Sequence, residues 1–402
     1  MTSEEYRSVF FTVHADKYLY LKRWYHTDPF WVSPERDAEF ARFGLLMHRC
    51  VQSLAERYES FNDTMQLPPR TLRILRMLHG RPYRPGTFRP DLLLCADGGW
   101  RACEITSRFM YSGYYASCFT DRAAEQMAAE RGIADRGDPM TPMFGYAMRE
   151  LEPCRTVSVI KSDDRPEALK LYQPYFEALG KQVTVIPFEA YAADPSLADA
   201  DLVISEIKQT DLWLLSDDQI RRLVDRPYLQ DLRTAFLPHD KRFFALLQDD
   251  AFTGPILTRE ETAFLRDHIV ITYVYGAAPD VWADARARKD AYILKHARLG
   301  KSEKVFAGCT LTPEAWDALF AGEDIREMVL QPYMAQRRFE TFWEGQRFVE
   351  YAVATILLFD DRYFGPGLIR SSSHPVTNQG DDRKFVPILT MHPEKLGAYH
   401  VL

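Results

Sequence analysis

Asp91 and Glu104 are the residues whose types and spacing first suggest chemistry. They lie in RPDLLLCADGGWRACEITSRF, which reads as strand, turn and strand, with Asp97-Gly98 as a two-residue type I′ turn. Counting outward from that turn pairs Ala96 with Gly99 and Asp91 with Glu104. A Gly98-Gly99 turn would leave the acids diagonal on one face, and a three-residue turn would put them on opposite faces. Like charges directly opposite each other destabilise a sheet, so the pair wants a cation between them. Two carboxylates and the Thr106 hydroxyl, on the same face as Glu104, suit a hard cation such as Mg²⁺, with water and phosphate oxygens as its other ligands. The alternative reading of these residues alone is two solvated acids on an edge hairpin.

A basic segment lies far downstream. KDAYILKHARLGKSEKVFAG reads as a strand ending at Lys295, a loop with Gly300, Lys301 and Ser302 at its tip, and a second strand from Val305. Such a loop can lie over phosphates, offering backbone N–H donors and positive charge. It lacks the Gly-x-x-x-x-Gly-Lys-Ser/Thr pattern of a Walker loop. REMVLQPYMAQRRF then gives an apolar strand running into Gln331-Pro332-Tyr333-Met334, a strand end whose backbone can read an adenine edge.

In this order the segments resemble the circularly permuted branch of the ATP-grasp enzymes, which includes glutathionylspermidine-synthetase-like ligases. The usual order has the lysines first and an acid strand ending in Glu-x-Asn last; here the acid strand comes first. PHDKRFFALLQD and GPILTREETAFLRDHIVITYV are similar to a further stretch of that branch, matching at Lys241, Leu246, Leu247, Leu257, Thr258 and Thr272. GPGLIRSSSHPVTNQGDDRKFVPIL resembles its closing stretch, with Arg370, Ser372, Asn378 and Gly380. The resemblance covers most of residues 85–402 and rests on order and spacing. There are departures: Thr106 stands where the family usually has Asn, the phosphate loop is glycine-poor, and Gln331-Pro332 replaces a glutamate that commonly binds ribose.

The resemblance implies a mixed α+β and α/β chain: a circularly permuted ATP-grasp fold with an inserted Rossmann-like pre-ATP-grasp domain. The implied reaction is ATP-dependent joining of a carboxylate to an amine or thiol through an acyl phosphate, on a small molecule or peptide, with ATP and Mg²⁺ as cofactors. Lys241 and Lys295 are then expected on the nucleotide phosphates, with Gly300, Lys301 and Ser302 covering them. Gln331, Tyr333 and Met334 meet the adenine, Asp91, Glu104 and Thr106 hold the metal, and Arg370 stabilises the transferred phosphoryl group. Arg108, Glu206, Lys208 and Asn378 are expected as substrate contacts. Two alternatives stay open: a small-molecule kinase of the same fold, and a non-catalytic nucleotide- or partner-binding relative.

The elements that must position these residues fall into three regions. Residues 1–151 open with aromatic helical material, FARFGLLMHRCVQSLAERY among it, and carry the acid hairpin and a helix from Asp121 to Arg131. Residues 152–235 alternate strands (TVSVIKSDD, QVTVIPFEAY, DADLVISEI) with a helix (RPEALKLYQPYFEALG), the rhythm of a parallel sheet. They lack a Gly-x-Gly-x-x-Gly fingerprint, so a dinucleotide is not expected. Residues 236–402 hold the lysine strands, the hinge, a hairpin turning through Asp360-Asp361, and a closing strand FVPILTM expected to bring Arg370 and Asn378 back to the acids.

Composition fits a soluble enzyme. With 402 residues, 46% of them hydrophobic, the chain can bury two or three cores. A net charge of −7 argues against nucleic-acid binding and against polybasic membrane attachment. No apolar leader or membrane span is read. The six cysteines are scattered without metal-ligand spacing, which suggests reduced thiols and a cytoplasmic home. The histidines form no zinc motif and no Gly-x-Ser-x-Gly elbow is present. The oligomeric state is not legible.

Overall fold

The acid hairpin forms, but through a different turn. In the computed structural model, Thr87–Leu94 pairs antiparallel with Trp100–Thr106. Cys95 N–H donates to Gly99 O at 2.9 Å and Gly98 N–H to Cys95 O at 3.1 Å, so the loop is the three residues Ala96, Asp97 and Gly98. Gly98 takes φ 83°, the left-handed position that closes such a loop. By itself this turn would place Asp91 and Glu104 on opposite faces. A β-bulge cancels it: Leu92 stands opposite Ala102 but Asp91 opposite Glu104, leaving Cys103 as the extra residue. Two offsets of one residue compensate, and the acids face each other.

The structure describes residues 1–107, 113–133, 138, 140–162, 166–226 and 229–390, with backbone only for 166–170. The hairpin belongs to a six-stranded sheet. Gln346–Phe359 pairs with Thr87–Leu94 on one side and with Arg362–Ser372 on the other, turning through Asp360-Asp361. Lys384–Val386 follows Arg362–Ser372, and Arg338–Trp343 pairs with the start of Gln346–Phe359. FVPILTM is not one strand. It divides at Pro387: Lys384–Val386 joins this sheet, and Ile388–Thr390 pairs in parallel with Phe30–Val32.

Strand alternation gives the sheet two different faces. Ala352, Ala354, Ile356 and Leu358 pack against the helix Pro34–Arg57 through its stripe of Phe40, Phe43, Met47, Cys50, Val51 and Leu54. Ser33 caps that helix, accepting the Arg36 N–H at 3.2 Å, and Pro34 occupies its first turn. A Cβ on Gly44 would stand 2.5 Å from Leu358, so a residue without a side chain lets the helix lie this close. Leu357 and Phe359 point the other way, into an aromatic core with Phe10, Tyr115, Phe119, Phe144 and Tyr175. The helix carrying Tyr115 runs Tyr114–Glu130, starting earlier than Asp121. Asp91, Leu93, Glu104, Val353 and Arg370 line a cleft instead.

A four-stranded antiparallel sheet forms the opposite wall, in the order Tyr273–Val274, Met328–Pro332, Tyr292–His296, Val305–Ala307. The hairpin backbone ties it down: Ala102 N–H donates to His268 O at 2.8 Å, Val270 N–H to Ala102 O at 2.9 Å, and Ala96 N–H to Ala335 O at 2.8 Å. Helices Pro279–Ala287 and Pro313–Ala321 pack Trp282, Ala285 and Trp316 against its Leu294 and Leu330.

Thr156–Lys161 lies between Gln182–Pro187 and Leu202–Glu206 in a three-stranded parallel sheet, with the helix Pro166–Ala178 in the connection. In sequence this sheet falls between the two segments that build the six-stranded one. All six cysteines are free thiols. Among the described residues, no helix is long and apolar enough to cross a membrane.

Candidate functional site

The cleft between the two sheets gathers polar groups from four separate stretches of chain. Asp91, Cys103 and Glu104 come from the acid hairpin and Lys295 from the lysine strand. Gln331 to Met334 come from the hinge strand, and Arg370, Thr377 and Asn378 from the closing hairpin and the loop after it. The space between the walls, open solvent included, is about 680 Å³.

Its electrostatics are asymmetric. Arg370 Nη2 donates to Asp91 Oδ2 at 2.8 Å and Nη1 to Asn378 Oδ1 at 3.0 Å. Lys241 Nζ stands 3.2 Å from Glu104 Oε2 and donates to Leu299 O at 2.6 Å. Burial opposes ionisation of both acids, and the cations decide the outcome. At Asp91, burial together with the Glu104 charge outweighs Arg370, and the pKa is raised. At Glu104, burial is outweighed by Lys241 and then Lys295, and the pKa falls to about 2. Two acids thus face three cations, and the surplus positive charge suits a polyanion. The Arg370 Nε, buried in the wall, has no hydrogen-bond partner among the described residues.

These residues fit a magnesium-bound polyphosphate. No three His, Cys, Asp or Glu side chains among the described residues gather to hold a metal unaided. Mg²⁺ needs only one or two carboxylates when phosphate and water complete its shell. Asp91 and Glu104 can supply those carboxylates, and Lys295 and Arg370 can meet the phosphates.

Several expected residues stand elsewhere. Lys241 does not line the cleft; it is 1% exposed and lies behind Glu104, so its charge reaches the cleft through that carboxylate. Thr106 is opposite Arg89 and outside the cleft wall, because the next residue on that face lies roughly 7 Å further along the strand. Glu206 and Lys208 sit at the C-terminal end of the parallel sheet, Glu206 in register with Lys161, and are not brought to the cleft. Arg108 lies outside the described residues.

The loop after Lys295 brings Ser302 to the cleft, with Gly300 and Lys301 just before it. Lys301, Ser302 and Lys304 all have positive φ, at 58°, 58° and 50°. The glycine-poor tip therefore stores backbone strain, each left-handed residue costing about 1–2 kcal/mol. Gln379 Nε2 holds the loop by donating to Val305 O at 2.8 Å. At the hinge, the Gln331 amide is not free for a sugar: its Nε2 donates to Thr272 Oγ1 at 2.9 Å. Tyr333, whose pKa is raised by burial and then by Cys309, and Met334 line the cleft beside Ile293, Val305 and Val376.

Sequence reasoning missed that apolar lining, and also Cys103, Gln336 and Thr377. Part of it was legible: Leu93 and Ile293 are two residues from Asp91 and Lys295, on the same strand faces. The Cys103 thiol, pushed up to about 11 by burial, enters the cleft beside a bulge that no sequence pattern announced.

A glutathione synthetase-like effector from Globodera pallida, solved in its apo form, superimposes with a TM-score of 0.58 over 91% of this chain and 90% of that one, at 11% identity. The fold resembles that of a glutathione synthetase-like protein. At such identity the likeness shows the fold alone. A family model described as the AnkG N-terminal domain matches residues 46–237, under half of the chain, spanning Asp91 and Glu104 but none of Lys241, Lys295 or Arg370. No curated protein matches the chain.

Proposed function

We propose that this protein is an ATP-dependent ligase joining a carboxylate to an amine or thiol on a small molecule or peptide. One observation carries the reading: the cleft unites an acid pair, a buried lysine strand, a hinge strand and an arginine from distant parts of the chain. The glutathione synthetase-like fold supports it. A six-stranded sheet built from two segments either side of a parallel unit favours the permuted arrangement with an inserted domain, divided near residues 151 and 235. A cytoplasmic home is part of the same proposal.

When bound, Mg²⁺ and ATP supply a γ-phosphoryl group that makes the carboxylate electrophilic as an acyl phosphate. The chain's own part is positioning and charge neutralisation. Asp91 and Glu104 offer carboxylate oxygens to the metal, and Lys241 keeps Glu104 ionised. Lys295 and Ser302 face the phosphates from the opposite wall, and Arg370 balances charge at the transferred group. Pro332, Tyr333 and Met334 with Ile293 and Val305 offer an apolar slot for a base. His296, adjacent to Lys295, is held down to about 4 by burial and then by Arg298 and Lys241, so at neutral pH its imidazole is uncharged.

The test is turnover of ATP with Mg²⁺ against panels of carboxylates and amines, reading ADP, phosphate and product mass, with Glu104→Ala as control. A condensed product that Glu104→Ala fails to make supports the ligase. A product carrying phosphate would assign a kinase, and activity unaffected by Glu104→Ala would remove the cleft from the account.

A further inference from the structure

Beside Arg370 the structure places a second guanidinium that the reading above does not use. Arg383 Nη1 donates to Asn378 Oδ1 at 3.4 Å, the same oxygen that accepts Arg370 Nη1 at 3.0 Å. Two positive charges therefore share one neutral amide oxygen, and their Nη1 atoms are no farther apart than those two bonds end to end. Arg370 has Asp91 as a counter-ion. Among the described residues no carboxylate pairs with Arg383. Its neighbour Asp382 is turned away, accepting Ser372 Oγ at 2.6 Å and the Ser373 N–H at 2.9 Å. Partial desolvation and then the Arg370 charge both lower the Arg383 pKa, as expected of a cation short of an anion. Next to Asn378, the buried Thr377 hydroxyl lines the cleft without a hydrogen-bond partner among the described residues.

We propose that Arg383, Arg370, Asn378 and Thr377 form a seat for a free carboxylate of the substrate, at the outer rim of the cleft. Resting on the ligase reading, this makes the substrate at least a dicarboxylate: one carboxylate is activated and the other anchored. Position decides between substrate and nucleotide. Arg370, Thr377 and Asn378 line the cleft, whereas Arg383 is solvent-exposed and outside the lining, so the seat faces a molecule arriving from outside. Paired guanidiniums match the planar, two-oxygen geometry of a carboxylate.

The test is calorimetric titration of the full chain with glutarate, and separately with inorganic phosphate, with and without Mg²⁺–ADP, for wild type, Arg383→Gln and Arg383→Lys. Glutarate should bind the wild type, weaken at least about tenfold in Arg383→Gln, the scale of one charge-assisted hydrogen bond, and recover in part in Arg383→Lys. Mg²⁺–ADP affinity should be the same in all three. Absence of glutarate binding, or equal binding by Arg383→Gln, overturns the seat. Loss of Mg²⁺–ADP affinity in Arg383→Gln, or Arg383-dependent binding of phosphate alone, gives the arginine to a phosphoryl group and overturns the carboxylate assignment. Failure of the ligase reading looks different: wild type then binds no Mg²⁺–ADP, while Arg383-dependent glutarate binding is still measurable without nucleotide.

Discussion

Two sets of buried charges lie close together in this chain and are built on opposite plans. In Asp240-Lys241-Arg242, Asp240 Oδ1 accepts both the Arg242 N–H and its Nε at 3.0 Å, and Oδ2 accepts Nη2 at 2.7 Å. Asp231-Leu232-Arg233 repeats the arrangement at 2.8, 3.0 and 2.7 Å. Arg233 then donates to the carbonyls of Leu78, Arg81 and Pro82. Each acid meets one arginine in a closed fork, away from the cleft. The cleft cluster has surplus cations, an acid whose ionisation burial opposes, and an arginine nitrogen without a partner among the described residues. The closed pairs hold the chain in place. On the function proposed above, a ligand completes the open cluster.

The largest difference between the two plans should be in stability. Asp240→Ala leaves Arg242 charged and buried, and should cost about 3–5 kcal/mol in denaturant unfolding. A loss below ~1 kcal/mol would mean that the closed fork is no staple.

Lys295→Met probes the open cluster. Lys295 is buried, has no ion pair within bonding distance among the described residues and acts on Glu104 only at longer range, so replacing it by an apolar chain of similar length should cost much less than Asp240→Ala. The same variant should lose most of the stabilisation by Mg²⁺–nucleotide, about 2.7 kcal/mol at 100 times the dissociation constant. Lost stability with intact nucleotide response would reverse the comparison.

The acids should separate by pH. Glu104 has a lowered folded pKa, so the stability it contributes is present above its unfolded value near 4.3 and fades as pH falls towards about 2. Asp91 has a raised folded pKa, so its contribution is present below its unfolded value and is lost as pH rises through the folded one. A metal held by Asp91 would compete with a proton there more strongly than at Glu104, because the Asp91 pKa is raised and that of Glu104 is lowered. Mg²⁺-dependent stabilisation should therefore weaken on acidification while Glu104 is still ionised, and Asp91→Asn should abolish it at every pH. A flat pH profile in the wild type would count against Asp91 as the metal's ligand.

The smallest effect belongs to the strained loop. Ser302→Gly relieves a left-handed serine and should stabilise the chain by about 1 kcal/mol in thermal unfolding. A destabilisation would show that the serine hydroxyl, rather than the loop conformation, is what the site retains.

Much of this arrangement was legible in the sequence, and the failures have physical causes. Lys295, Gln331, Arg370 and Asn378 could be placed because strand ends and turns fix position within a pleat. The acid pair was placed correctly through a wrong turn: Ala96-Asp97-Gly98 shifts the register by one and the bulge at Cys103 shifts it back. Turn residues report the first shift, while the second depends on tertiary pairing. Lys241 was misplaced because a buried lysine and a phosphate-facing one look alike in sequence, and only packing against Glu104 and Leu299 tells them apart. Arg383 was overlooked because a lone arginine in a polar loop carries no pattern; its meaning comes from sharing Asn378 with Arg370.

The proposed function requires the open cluster to bind a magnesium-bound nucleotide. Its most direct test is thermal unfolding of the wild-type chain with a non-hydrolysable ATP analogue, in Mg²⁺ and in EDTA. The account predicts a rise in melting temperature that requires nucleotide and Mg²⁺ together. An unchanged melting temperature at saturating concentrations of both, or an equal rise in EDTA, would contradict it.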